Sequence, residues 1–327
     1  MMYPMPSPSD DARMPLHVRV ASYNLYLGAD LRVMFAVRSP ADMERAAAVV
    51  HQQVLATDFP ARAEAIASLL VREQVDVVGL QEVARWKRVV EGVGGGEQAE
   101  VWLDFLDLLV AALCRAGEHY DVHAHTPSFH GVSRVPGGEQ LAVTGHNAVL
   151  VRSASGLRVT GESTGSYRQT LDIATRMPDV VLHVARSWGW VDTEVGGRPV
   201  RFVNTHTEAW NAEIRDAQRD ELLAAIGDPG FPVIVLGDLN ATPDRVGMPE
   251  EYVDAWSAAG DGGPGATCGQ AADLANAESS LVSRIDYVFV RGAAVTGCRV
   301  VGGEPGDRTS GGLWPSDHAG VVADLIL

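Results

Sequence analysis

Val233-Ile-Val-Leu-Gly-Asp-Leu-Asn240 is an apolar run that breaks at Gly237 and then presents a carboxylate, Asp238, and a carboxamide, Asn240. Residues two apart share a face wherever strand geometry continues. The C-terminal edges of strands in α/β sheets are where ligands are usually handled. Comparable polar endings recur at Asn24, Gln81-Glu82, Asn204 with His206, Asp286, and Ser316-Asp317-His318. Carboxylates and amides without a partner cysteine are hard oxygen donors, suited to Mg²⁺ or Mn²⁺ rather than zinc. Histidine beside carboxylate is also the pairing that activates water. A divalent ion can neutralise phosphate charge while amides and an imidazole hold the crowded oxyanion. Plainer alternatives exist for each residue: an Asx turn for Asp238 and Asn240, an N-cap and a surface histidine for Asp317 and His318, a solvated carboxylate for Glu82, a turn cap for Asn24. Each suffices alone, but recurrence at one strand end after another argues against all of them together.

The elements that must position these residues follow from periodicity. Val18 to Ser22 reads as a first strand with Asn24 just past its end. Arg62 to Val71 has helical spacing and leads into an unbroken apolar run, Val75 to Leu80, that reads as a buried strand. Further helices are expected over Pro40 to Val54, Val101 to Ala116 and Ala212 to Ile226. Further strands are expected over Tyr120 to Ala124, Asn147 to Arg152, Ile285 to Val290 and Gly320 to Leu325. Trp188 to Glu194 and Val200 to Asn204 flank Gly196-Gly197 as a hairpin. Gly-rich stretches at Gly92 to Gly96, Gly131 to Gly138, Gly260 to Gly265 and Gly302 to Gly312 read as loops, and none is a P-loop. Hairpin-connected and helix-separated strands together predict a mixed sheet arrangement in an α/β domain.

Composition narrows the class. The 327 residues are 46% hydrophobic and 21% charged, ordinary for a globular chain with an ample core. No apolar run approaches a membrane span. Met1 to Met14 is rich in Pro, Ser and Asp without an apolar core, which predicts a disordered lead-in over residues 1–16, no secretory signal, and a cytoplasmic location. The three scattered cysteines, Cys114, Cys268 and Cys298, fit neither a zinc motif nor a disulfide framework. A net charge of −16, from 42 acidic and 26 basic residues, disfavours DNA or RNA, whose binding draws on Lys and Arg.

The segments Ser22-Tyr-Asn24, Leu80-Gln-Glu-Val83, Gly145-His-Asn-Ala-Val-Leu150, Val203-Asn-Thr-His206, Gly237-Asp-Leu-Asn240, Ile285-Asp-Tyr-Val288 and Ser316-Asp-His318 resemble, in order and spacing, the endonuclease/exonuclease/phosphatase superfamily of metal-dependent phosphoesterases. The resemblance covers nearly the whole chain and implies one catalytic domain over residues 17–327. It implies a four-layer α/β/β/α sandwich of two packed mixed sheets flanked by helices, DNase I-like, with the site at one edge. It also implies one or two Mg²⁺ (or Mn²⁺) ions, with Glu82 as principal metal ligand, Asn24 beside it as ligand or phosphate contact, and Asp317 as a second metal carboxylate. His318 becomes the catalytic histidine, oriented by Asp286; Asp238 positions or deprotonates water; Asn240 and His206 hold phosphoryl oxygens. Asn204 and Arg186 join Asn24 as substrate contacts, although the aromatic residue that nuclease members carry ahead of the arginine is missing.

Departures from the family shape the substrate expectation. The chain is acidic where nucleases carry basic loops, has no export signal of the sphingomyelinase kind, and shows Ala241-Thr-Pro-Asp244 and Trp314-Pro-Ser316 where 5-phosphatases place basic residues. The segment Gly28 to Phe59 exceeds a minimal member and is expected to lie over the site. Trp86, Trp210 and Trp314 adjoin site motifs and are candidates to wall a pocket. His119, His123, His125 and His130 are read as an outward strand face rather than a metal cluster. The expected activity is hydrolysis, by in-line attack of water at phosphorus, of a small or amphipathic, even lipid-like, phosphate ester. The alternatives are a DNA or RNA nuclease, an enzyme of specialised metabolism using the same metal site for other chemistry, and a non-catalytic binding module.

Overall fold

The computed structural model describes residues 15–91, 97–135, 139–177 and 180–327. Of the lead-in expected over 1–16, residues 1–14 lie outside these residues, as do the Gly92 to Gly96 loop and the tip 136–138. Leu327 N donates to Leu16 O, tying the two described ends together.

In chain order the strands are β1 (His17–Asn24), β2 (Val77–Gln81), β3 (Arg85–Glu91), β4 (Glu97–Asp104), β5 (Tyr120–Arg134), β6 (Gln140–Arg152), β7 (Arg158–Ser166) and β8 (Leu171–Ala174). There follow β9 (Val181–Val184), β10 (Ser187–Val195), β11 (Arg198–His206), β12 (Val233–Asp238), β13 (Val253–Asp254), β14 (Asp286–Arg291), β15 (Ala294–Val301) and β16 (Gly320–Ile326). The helices are α1 (Pro40–Ala56), α2 (Phe59–Arg72), α3 (Phe105–Arg115), α4 (Ala212–Ile226) and the short α5 (Ala255–Ala259). An eight-stranded sheet runs β15-β16-β1-β2-β6-β3-β4, with β5 also paired to β6, and a six-stranded sheet runs β13-β14-β12-β11-β10-β7. Both are mixed: β1–β2 and β11–β12 are parallel and their neighbours antiparallel. β8 and β9 form a separate two-stranded hairpin.

The unbroken apolar strands are explained by the layers. Val20, Val77, Val149, Phe202 and Ile234 meet between the two sheets. Their chain neighbours Ala21, Val78 and Leu150 face the α1–α3 layer, and Val203 and Val235 face α4. A strand buried on both faces needs no polar alternation. The result is an α/β/β/α sandwich. Gly79 lets the sheets approach at its centre, since a Cβ there would stand 2.8 Å from Asn204 Oδ1 and 2.9 Å from Leu236 Cβ.

Several expectations change. The helix read over Val101 to Ala116 starts only at Phe105, because the Asp104 carboxylate caps it by accepting from Leu106 N and Asp107 N; Val101 to Asp104 belong to β4. The loop expected over Gly131 to Gly138 is strand as far as Arg134, since ladder pairing with β6 holds Gly131 opposite Val143 and Arg134 opposite Gln140. Strands β3, β7, β8, β9, β13 and β15 have no counterpart among the expected strands; β7 alternates between exposed and half-buried residues, so no buried run marks it.

Candidate active site

Register brings the polar strand ends together. On the six-stranded sheet, His206 lies opposite Asp238 and Asp238 opposite Asp286, one lateral row across β11, β12 and β14. On the other sheet Asn24 ends β1 beside Gln81, and Glu82 follows. Ser316 Oγ donates to Asn24 O at 2.7 Å and so anchors the Ser316-Asp317-His318 turn next to β1.

Within this edge, His318 Nδ1 lies 2.9 Å from Asp286 Oδ2, which also accepts from Thr267 Oγ1 at 2.6 Å. The imidazole is thereby held with Nε2 towards Asp238 Oδ2 and Asp317 Oδ1, each at 3.9 Å. Burial works against a charge on His318, but Asp286 and Asp317 outweigh it and hold the ring protonated well above the ordinary histidine range. His206 Nε2 approaches Asp238 Oδ2 at 3.5 Å; burial, with Arg186 and His318 nearby, keeps it neutral well below that range. The two imidazoles thus take opposite roles.

The carboxylates are poorly neutralised. Burial and Asp286 push Asp238 up to about 7. Burial, offset in part by His318 and reinforced by Glu82, pushes Asp317 up to about 7. Arg62, wholly buried beneath them, spends its donors on the carbonyls of Leu25, Tyr26, Thr57 and Pro315. Uncompensated acidic groups of this kind suit a divalent cation, so the residues fit the ion that the resemblance implies. Among the described residues, Asp238, Asp286 and His318 bring ligand-type atoms within 4.8 Å of one another. His318 Nδ1 and Asp286 Oδ2 of this trio already bond each other, and Asp317 lies beside it with Oδ1 3.9 Å from His318 Nε2.

Glu82 sits at φ +53° with Oε2 accepting from Leu27 N at 2.9 Å. Tyr26 and Asn240 are also left-handed, at φ 55° and 48°; strain of this kind gathers where structure over-determines a functional edge. Asn24 Nδ2 donates to Asp238 Oδ2 at 3.0 Å and lies 3.3 Å from Glu82 Oε1, while its oxygen accepts from Tyr26 N. It braces the two acids from between. The strand stops at Asp238, so Asn240 does not continue its face as the spacing suggested. Asn240 N bonds Asp238 Oδ1 as an Asx turn, and its Nδ2 reaches Thr207 O.

One substrate assignment fails. Asn204 is buried two residues below His206, donating to Leu80 O and Ala148 O and accepting from Gln81 Nε2 at 2.7 Å. It stitches the sheets together and has no amide left for a ligand. Arg186 does reach the cleft: its Nη1 lies 3.0 Å from His206 Nε2 and its Nε 3.8 Å from Glu208 Oε2. Glu208, Thr267 and Arg62 carry no motif signal; an acid in the Thr205-His-Thr-Glu208 run was the nearest hint. Of the β5 histidines, His123 lies beside Glu162 and His125 against His146.

A cavity of about 670 Å³ opens over Glu82 and Asp317. The segment Gly28 to Phe59 supplies Leu31, Met34, Phe35, Met43, Ala47 and Val50 to its wall, which Trp86 and Trp210 also line, Trp210 meeting Phe35 edge-on at 5.2 Å. Trp314 instead packs in the core with Tyr26 and Leu274.

A two-sheet sandwich with carboxylates, amides and histidines gathered at one edge defines the phosphoesterase class of this architecture. The family model for the endonuclease/exonuclease/phosphatase family matches residues 21–318, and the chain belongs to that family, whose members are metal-dependent phosphoester hydrolases. Solved structures share the fold. An endonuclease/exonuclease/phosphatase family protein from Bacteroides thetaiotaomicron is 20% identical, with 96% of this chain and 99% of that one covered at a TM-score of 0.59. Truncated Caenorhabditis elegans TDP2 is 20% identical over 95% and 98%, at 0.57. A mannosyl-6-phosphatase from Bacteroides thetaiotaomicron is 18% identical over 95% and 100%, at 0.56. No curated protein matches the sequence significantly.

Proposed function

We propose that residues 17–327 form one catalytic domain that hydrolyses a small or amphipathic phosphate ester, with Mg²⁺ or Mn²⁺ bound. The observation that carries this reading is the His318–Asp286 pair facing Asp238, beside Glu82 and Asp317, which no arginine or lysine bonds among the described residues. Glu82 and Asp317 would hold the ion, with Asn24 bracing Glu82. When bound, the ion supplies positive charge against the phosphate oxygens.

The chain's own groups do the rest. Asp238 and His318 converge on one space from which a water faces the phosphorus in line; with the His318 ring already protonated, the water's proton passes to Asp238 and His318 can give one to the departing oxygen. Asp286 keeps His318 Nε2 aimed there. Neutral His206, Asn240 and Arg186 contact the phosphoryl oxygens, with Arg186 supplying fixed positive charge. The net charge of −16 argues against a polynucleotide substrate.

A screen of phosphate release and diester cleavage in Mg²⁺, Mn²⁺ and EDTA tests the proposal. Release in either metal, abolished by EDTA, is expected. Plasmid nicking with steep salt dependence would replace the reading with a nuclease, and full activity in EDTA would overturn it.

A further inference from the structure

The cavity over the acidic floor is chemically divided. Glu82, Asp317 and Arg186 line its acidic side; Met34, Phe35, Met43, Val50, Trp86 and Val143 supply apolar wall. Of the polar lining residues, Asp30 is bonded to Arg32, His130 to Thr144, His183 to Asp172 and Gln270 to Ser279, with Ser133 beside them. Arg32 and Arg186 are the only cations among its described lining residues, and Arg32 is already locked on Asp30 through Nη2 at 2.6 Å. Trp86 has its indole N–H committed to Leu27 O at 2.9 Å, so it offers the cavity an apolar ring. A ligand rich in hydroxyl or amide groups would lose hydration along these walls and find few partners, a cost of a few kcal/mol for each unpaired group.

The size is also informative. At about 30 Å³ for each water in the liquid, 670 Å³ equals the room of roughly twenty non-hydrogen atoms. A phosphate group accounts for about five of these, leaving roughly fifteen for the alcohol by the same measure. Binding pockets commonly join a large apolar wall to a few placed polar groups, and this one has that make-up.

We infer that the cavity walled by Met34, Phe35, Met43, Val50, Trp86 and Val143 seats the apolar alcohol of a phosphate ester, roughly fifteen carbons in size, while Glu82, Asp317 and Arg186 face its phosphate. The inference rests on the phosphoester reading above and names the class of ester. The wall built by the long segment Gly28 to Phe59 is the specificity element, and sugar phosphates and nucleotides are the substrates it disfavours.

Affinity measured by calorimetry in Mg²⁺ for butyl-, hexyl-, octyl- and decylphosphonate, each below its micelle concentration, tests this without requiring turnover. Burial of each methylene strengthens binding by up to about fourfold, so the series should gain at least about tenfold from butyl to octyl. Met43→Trp, which fills the cavity, should flatten the series, and Met34→Gln, similar in size but polar, should weaken its longer members. A flat series in the unaltered protein overturns the inference, as does an undiminished slope in both variants. Phosphate release from octyl phosphate reads the hydrolase assignment separately. Its absence beside a steep affinity series would remove hydrolysis and keep the apolar site.

Discussion

The two ends of the same strands treat acidic residues in opposite ways. At the end away from the cleft, Asp324 is held by Arg19 and Arg299, Glu73 by Arg299, and Asp76 by Arg152. Burial alone would raise Asp324 and Glu73, but their arginines outweigh it and hold both below the ordinary carboxylate range. At the cleft, burial and then Asp286 push Asp238 up to about 7, burial and Glu82 do the same to Asp317, and among the described residues no arginine side chain bonds either carboxylate. Arg62 offsets part of the rise at Asp317 through space, while its own donors are taken by carbonyls. One end is an ion-pair lattice that closes the sandwich; the other keeps its negative charge open for a cation and a reacting phosphate. Perturbed acids in a cleft are the ordinary mark of a functional site, and paired acids are the mark of structure.

The contrast breaks most sharply at His318. His318→Ala should lower kcat/KM by about 10²- to 10⁴-fold, with a thermal midpoint close to that of the unaltered protein. Full retention of activity would remove the catalytic assignment of this edge. A cation should next restore at the cleft the balance that arginines give the far end. Adding Mg²⁺ to EDTA-treated protein at a hundred times its dissociation constant should stabilise it by about 2.7 kcal/mol, read as a rise in melting temperature that Glu82→Ala abolishes. A Glu82→Ala variant that still gains the full rise would place the ion elsewhere.

The smallest effect belongs to the lattice. Arg299→Ala should cost about 1 kcal/mol of stability, as partly exposed pairs do, and leave kcat/KM unchanged. Asp324 and Glu73 are depressed in the folded state, so their contribution is fully present above the unfolded carboxylate values and is lost as pH falls through the folded ones. Arg299→Ala should therefore flatten the acid limb of the stability profile below about pH 4. An acid limb unchanged in this variant would show the lattice to be idle.

Much of this was legible in the chain itself. Asn24, Glu82, His206 and Asp238 close or follow an apolar strand, Asp286 opens one and Asp317 and His318 precede one, and their order marks both the two-sheet fold and the phosphoester family. Helix α4 could be bounded from its pattern because Asn211 caps it locally. The long segment over the cleft was visible as excess length. Local periodicity and capping carry such information because their partners lie within a few residues.

What the sequence could not assign depends on partners far along the chain. Asn204 and His206 look equivalent two residues apart on one strand, yet contacts with Leu80, Gln81 and Ala148 make the first a stitch between sheets and leave the second at the cleft. Asn24 meets Asp238 across 214 positions, and Ser316 meets Asn24 across 292. Arg62 reads as an ordinary helix residue until three separate segments bring their carbonyls to it. The sequence alone determined which residues stand at strand ends, and so the class of chemistry. Tertiary packing alone decided which acids stay unpaired, which amides are consumed, and how apolar a chamber covers them, because burial and charge balance arise only when distant segments meet.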